Sequence, residues 1–190
     1  MAESIKDKVA IIGMGSTKFG ENFDMSFLDM AVEAAYEAYK DAGIEPKDIQ
    51  AAWLGVFSPD QAGGFLGQAG SFLASALALK DRPITRVTNF CATGMEAIRN
   101  AAYAVAAGAY DIVLVVGDEK MRDVGPRDSL IKQIITQGHP VIGKGITAPG
   151  LFALMATVHM NKFGTTKEDM AKVAVKNHYN GARNPKAHFR

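Results

Sequence analysis

Apolar positions along the chain follow two periods, and together they predict alternating strands and helices. Lys8-Val-Ala-Ile-Ile12 is a short β-branched run ended by Gly13, the pattern of a buried strand. From Asp24 to Ala42 the residues Phe27, Leu28, Ala31, Val32, Ala35, Tyr36 and Tyr39 recur every three or four positions, which predicts a helix. Ser26 and Asp29 have capping-box spacing at its start, and Gly43 suits its end. Ala51 to Phe57 reads as a second strand, with Trp53 and Phe57 as core residues. A Gly-rich stretch, Asp60 to Gly70, leads to a helix over Ser71 to Leu79 and a strand over Ile84 to Asn89. Ala92 to Ala107 is an Ala-rich helix stopped by Gly108. Asp111-Ile-Val-Leu-Val-Val116 is an unbroken apolar run, expected to be buried on both faces of a sheet.

The pattern weakens after Gly117. Asp118 to Gly150 is rich in glycine, proline and charge, as in a functional insertion or lid. Two further helices are expected, over Leu151 to Phe163 and from Thr165 or Thr166 onward, the second with Thr165 and Glu168 at capping-box spacing. Residues 180–190 read as a loop. The expected organisation is α/β, with a core over residues 1–117 and a loop region with helices over residues 118–190.

Composition narrows the function more than the fold. In 190 residues, 21 Lys and Arg against 20 Asp and Glu give a formal charge of +1, without the basic excess of a nucleic-acid or acidic-membrane partner. No apolar run approaches the length of a membrane span, and the charged N-terminus lacks a secretory pattern, so a cytoplasmic location is expected. One cysteine and four scattered histidines leave no set of metal ligands. Gly13-Met-Gly15 opens like a dinucleotide fingerprint, but Lys18 stands where the third glycine is required, and no phosphate loop is present. Nine scattered methionines fit a plastic core. Lys120, Arg122, Arg127 and Lys132 read either as a solvated loop face or as contacts for the phosphates of a ligand such as coenzyme A.

One constellation carries chemistry. Asn89-Phe-Cys-Ala-Thr-Gly94 lies where a strand becomes a helix. The first turn of a helix has unpaired N–H groups and a partial positive charge, which stabilise a thiolate and can hold the oxygen of an attacked carbonyl. Gly94 leaves room for a ligand or a second backbone. Cys91 therefore reads as a nucleophile on rigid elements or, as lone cysteines often are, as an inert buried residue.

The segment Val87-Thr-Asn-Phe-Cys-Ala-Thr-Gly-Met-Glu-Ala-Ile-Arg99 resembles the nucleophile motif of thiolases, Cys-x-Ser/Thr-Gly before a small-residue helix. Val9 to Phe19 resembles the family's first strand and turn, and Gly108 to Met121 the strand after its nucleophile helix. Ala148-Pro-Gly-Leu-Phe152 and Ala171 to His178 resemble the branch of sterol carrier protein X and its lipid-transfer-like acetyl-CoA acetyltransferase homologues. The resemblance implies a thiolase-like layered α/β fold, here its N-terminal half with an inserted loop region. It implies acyl transfer of the acetyl-CoA acetyltransferase or 3-ketoacyl-CoA thiolase type, in lipid metabolism. A cysteine, here Cys91, is acylated by an acyl-CoA and a carbon–carbon bond then forms or breaks. Thr93 and Gly94 would shape the turn, with Asn89 as a supporting polar residue. Coenzyme A thioesters are the implied substrates, with no tightly bound cofactor and no metal.

Thiolases also draw histidines and a second cysteine from a C-terminal half, and the chain is expected to be cut before that half. Gly138-His139-Pro140 matches one such motif without its Gly-rich sequel and reads as a chance match; His159, His178 and His188 read as packing or surface residues. The implied partners are an acyl-CoA and either a second copy of the chain, meeting through Ile84 to Asn89, or a partner supplying the missing half. A retro-aldol relative acting on a steroid or acyl-CoA side chain, and a non-catalytic half-length binding protein, remain as alternatives.

Overall fold

The computed structural model describes residues 4–57, 68–123, 125 and 147–190. They divide into two compact units, Met1–Thr17 with Glu21–Asp123, and Lys18–Gly20 with Val124–Arg190. The expectations for Gly-rich residues 60–67, for most of the 118–150 insertion, and for His139, Arg127 and Lys132 lie outside the described residues.

The first unit is built on a parallel sheet, with β1 (Ala51–Gly55) between β2 (Ile84–Val87) and β3 (Val113–Gly117). Register sets Gly55 opposite both Val87 and Gly117, so all three strands end in one row. Every residue of β1 is buried, because side chains alternate between two covered faces. Ala52 and Leu54 pack with α1 (Phe27–Ala42) and α2 (Ala69–Ala76), whereas Ala51 and Trp53 pack with Ala97 and Ala101 of α3 (Thr93–Ala106). Leu54, Leu73 and Leu77 are fully buried, each stabilising the fold by about 1.5–3 kcal/mol relative to exposure.

Local chemistry sets the element ends. Ser26 caps α1 in a reciprocal capping box with Asp29, and Gly43, at φ 70°, closes it in the left-handed conformation, as the spacing predicts. The box also holds the Asp29 carboxyl below its usual range, chiefly through the Ser26 hydroxyl. α2 starts two residues and ends three residues earlier than expected. It stops where Ala78 takes a left-handed φ of 55° and Leu79 N–H donates back to Ala74 C=O.

Two strand expectations need correction. Residues 8–12 form no strand, and Ile11 and Ile12 are 76% and 55% exposed. The chain just beyond them is taken by α1 instead: Met14 N–H donates to Asp41 and Ser16 N–H to Glu37, at 3.0 and 2.9 Å. A Cβ on Gly15 would lie 2.0 Å from Ala34 O, so only glycine fits this close approach. The second correction is β3. It lies at an edge of the described sheet, and Leu114 and Val116 are buried while Val113 and Val115 are only half-buried. The strand buried on both faces is β1.

The second unit carries α4 (Ala148–Phe163), capped by Thr147, and α5 (Lys167–Gly181). The cap of α5 is Thr166 with Asp169, not Thr165 with Glu168; the Thr165 hydroxyl instead pairs with His159 Nδ1 at 2.9 Å. No residue of α4 or α5 is buried, although Phe152, Leu154, Met155 and Val158 of α4 are apolar. No helix among the described residues is long and apolar enough to cross a membrane.

Candidate active site

The ends of three parallel strands meet at one edge of the sheet, and the chain leaving β2 makes the candidate site. After Val87 it passes Asn89 and reverses at Phe90, whose φ of 45° lies in the left-handed region. For a bulky residue this conformation costs about 1–3 kcal/mol and must be held by its surroundings. Phe90–Ala92 then form one 3₁₀ turn that runs into α3. Cys91 sits in this turn, two residues before the first residue of the helix rather than inside its first turn, and its side chain is exposed. The thiol is therefore not buried, contrary to one of the two sequence readings.

Thr93 holds the turn. Its hydroxyl donates to Phe90 C=O at 2.6 Å and accepts from Asn89 N–H at 2.7 Å, and the side chain is buried. A hydroxyl can do both at once, whereas an isosteric valine can do neither. Asn89 contributes here through its backbone; Ala92 N–H also donates to its carbonyl at 2.9 Å. Gly55 lets α3 approach β1, since a Cβ there would meet Thr93 and Ala97 at 3.3 Å. A Cβ on Gly94 meets nothing within 4 Å, so this exposed position faces open space.

The start of α3 is electrostatically open. Its N-cap is Ala92, and no side chain caps it, which leaves the first-turn N–H groups and their partial positive charge without that compensation. Glu96, the acid of the first turn, is engaged by Arg99 and Asn100, and the Arg99 contact holds its carboxyl below the usual range.

The other two strand ends add further groups, of which Glu119 and Asp118 are not singled out by the sequence. Phe57, expected in the core, is half-buried, and its ring lies 4.8 Å from that of Phe90. Its N–H donates to Glu119 Oε2 at 2.7 Å. Asp118 follows β3 and is 8% exposed, with Oδ2 buried and without a hydrogen-bond partner. Burial pushes its carboxyl up to about 7. The available signal for Asp118 was an acid placed directly after the most apolar strand. Lys120 is buried rather than on a solvated face, and donates to Asn22 C=O and Asp123. Arg122 is exposed and paired with Glu21. His159, His178 and His188 belong to the second unit, each beside an aromatic ring. Among the described residues no cluster suits a metal ion.

Residues 9–190 match the family model described as "Thiolase, N-terminal domain". The chain belongs to the thiolase family. It is 43% identical to the acetyl-CoA acetyltransferase of Methanothermobacter thermautotrophicus over 95% of its own length and 47% of that protein. It is 32% identical to sterol carrier protein 2 of Gallus gallus, over 99% of the chain and 35% of that protein. Among solved structures, an aldolase complex described as Ltp2-ChsH2(DUF35) superposes with a TM-score of 0.71 at 27% identity, covering 95% of this chain and 45% of that one. The chain thus spans about half the length, or less, of these thiolase-family relatives. The layered α/β thiolase fold expected from the motifs is the fold observed, in its N-terminal half.

Proposed function

We propose that the chain is the nucleophile-bearing half of an acyltransferase of the acetyl-CoA acetyltransferase type. The observation that carries this reading is the exposed Cys91 on a turn held by Thr93, at the uncapped start of α3. In the proposed reaction the Cys91 thiolate attacks the thioester carbonyl of an acyl-CoA. The backbone N–H of Cys91 takes part in holding the oxyanion. The carbon–sulfur bond to coenzyme A breaks, coenzyme A leaves as its thiolate and takes up a proton, and the acyl group stays on Cys91. Attack on this acyl-cysteine by the α-carbanion of a second thioester forms the new carbon–carbon bond and returns the Cys91 thiolate; thiolysis is the reverse. Gly94, with open space above it, admits the acyl group.

The proton-transfer groups for both steps are assigned to the part of the longer relatives that this chain does not cover. Met95 and Ile98, 72% and 51% exposed on α3, support a partner surface there, either that second half or another copy of the chain. No tightly bound cofactor or metal enters the proposed reaction, and the proposed location is the cytoplasm.

Mass spectrometry after mixing with acetyl-CoA tests this reading. The expected result is one acetyl adduct, localised to Cys91 and absent from Cys91→Ala. An unmodified chain, both alone and with the second half of a relative supplied in trans, overturns it. A second reading rests on the likeness to the aldolase complex: retro-aldol cleavage of a side-chain thioester. Retro-aldol activity that survives Cys91→Ser would favour it.

A further inference from the structure

We propose that Phe57 and Glu119 are positioning residues for Cys91, an inference that takes from the proposed function only the role of Cys91 as nucleophile. The conformation that presents the thiol depends on Phe90, which holds a left-handed φ of 45° without being glycine. Thr93 fixes the carbonyl side of that residue. The ring of Phe90 is held from another strand, by the ring of Phe57 at 4.8 Å and a 36° tilt.

Phe57 lies beyond the last paired residue of β1, so ladder hydrogen bonds do not fix it. Its N–H is held instead by the Glu119 carboxylate, two residues beyond the end of β3. The order of contacts is therefore Glu119 to Phe57, Phe57 to Phe90, and Phe90 to the adjacent Cys91. It joins the ends of all three strands. Without the Phe57 ring, half-exposed Phe90 loses its packing partner, and its φ relaxes toward the ordinary negative region. That change swings Cys91 away from the start of α3 and breaks the Asn89–Thr93 hydrogen bond.

The test uses Phe57→Ala, Glu119→Gln and Phe57→Tyr in the full chain, with two readouts. The first is amide hydrogen exchange at Asn89 and Ala92, with Leu54 of β1 as the internal control for global opening. The second is the rate of Cys91 acetylation against acetyl-CoA concentration. In Phe57→Ala, exchange at Asn89 and Ala92 should rise at least tenfold with Leu54 unchanged. The saturated acetylation rate should fall at least tenfold, with the half-saturating concentration within twofold. Glu119→Gln should change both in the same direction by about threefold, and Phe57→Tyr, which keeps the ring, should restore both. Unchanged exchange at Asn89 and Ala92 in a folded Phe57→Ala overturns the proposal, as does failure of Phe57→Tyr to restore it. If Phe57→Ala does not fold, Glu119→Gln decides, and wild-type exchange in that variant overturns the proposal. Absence of acetylation in the wild type counts against the acyltransferase reading alone, because the exchange measurement needs no substrate.

Discussion

Replacing Asp118 by asparagine should change how the stability of the chain depends on pH. In the folded chain burial raises this carboxyl from its ordinary 3.8 to about 7, with Glu119 adding to the rise and Lys120 and the Glu119 N–H opposing it. Between those two values the folded chain holds a proton that the unfolded chain has released. Stability therefore falls as pH rises through this window, is unaffected by the group below it, and is level again above it. At about 1.36 kcal/mol for each pH unit, the window corresponds to about 4 kcal/mol. Water entering around the ionised Oδ2 reduces this, so a loss of about 2–4 kcal/mol is expected, a large part of the ~5–15 kcal/mol that holds a typical domain together. The amide introduced by Asp118→Asn does not titrate in this range. Urea unfolding should show Asp118→Asn about 1–1.5 kcal/mol more stable than wild type at pH 5, where the lower part of the window is already crossed, and about 2–4 kcal/mol more stable at pH 8, with equal m-values. Other titrating groups contribute to both chains and cancel in the difference. Equal losses in the two chains between pH 5 and pH 8 would refute the assignment. So would a carboxyl carbon resonance of Asp118 that titrates near its ordinary 3.8.

Other substitutions probe the remaining parts. Thr93→Val should destabilise by about 1–2 kcal/mol in urea unfolding, since it leaves Asn89 N–H without its acceptor, and Thr93→Ser should recover most of that loss. Gly94→Ala meets open space and should stabilise by about 0.4–1 kcal/mol through the unfolded chain; if an acyl group enters over this position, acetylation of Cys91 should slow in the same variant. Gly15→Ala puts a Cβ 2.0 Å from Ala34 O and should destabilise by about 1–3 kcal/mol, with exchange rising first at Met14 and Ser16. Ser26→Ala removes the side-chain half of a capping box and should cost about 1 kcal/mol in thermal or urea unfolding.

The places where sequence reading succeeded and failed have a common physical cause. α1 was legible down to Ser26, Asp29 and Gly43 because each acts within one turn of its own position. The strand–helix change around Cys91 was legible for the same reason. Residues 8–12 misled because an apolar β-branched run specifies a strand only where a neighbouring strand offers its backbone; here Asp41 and Glu37 of α1 take the N–H groups just beyond the run. At the start of α5 two overlapping Thr-x-x-acid patterns competed. A contact from outside the pattern, Thr165 with His159, leaves Thr166 as the cap.

The groups that surround Cys91 are the least legible, since their positions come from register. Gly55 opposite both Val87 and Gly117 places Phe57 beside the turn that follows β2 and within reach of Glu119, 62 residues away. Nothing in the spacing of Phe57, Phe90 and Glu119 along the chain announces that they meet. A motif such as Cys-x-Thr-Gly can therefore mark a candidate site, while the parallel pairing of three strands determines which distant residues lie around it.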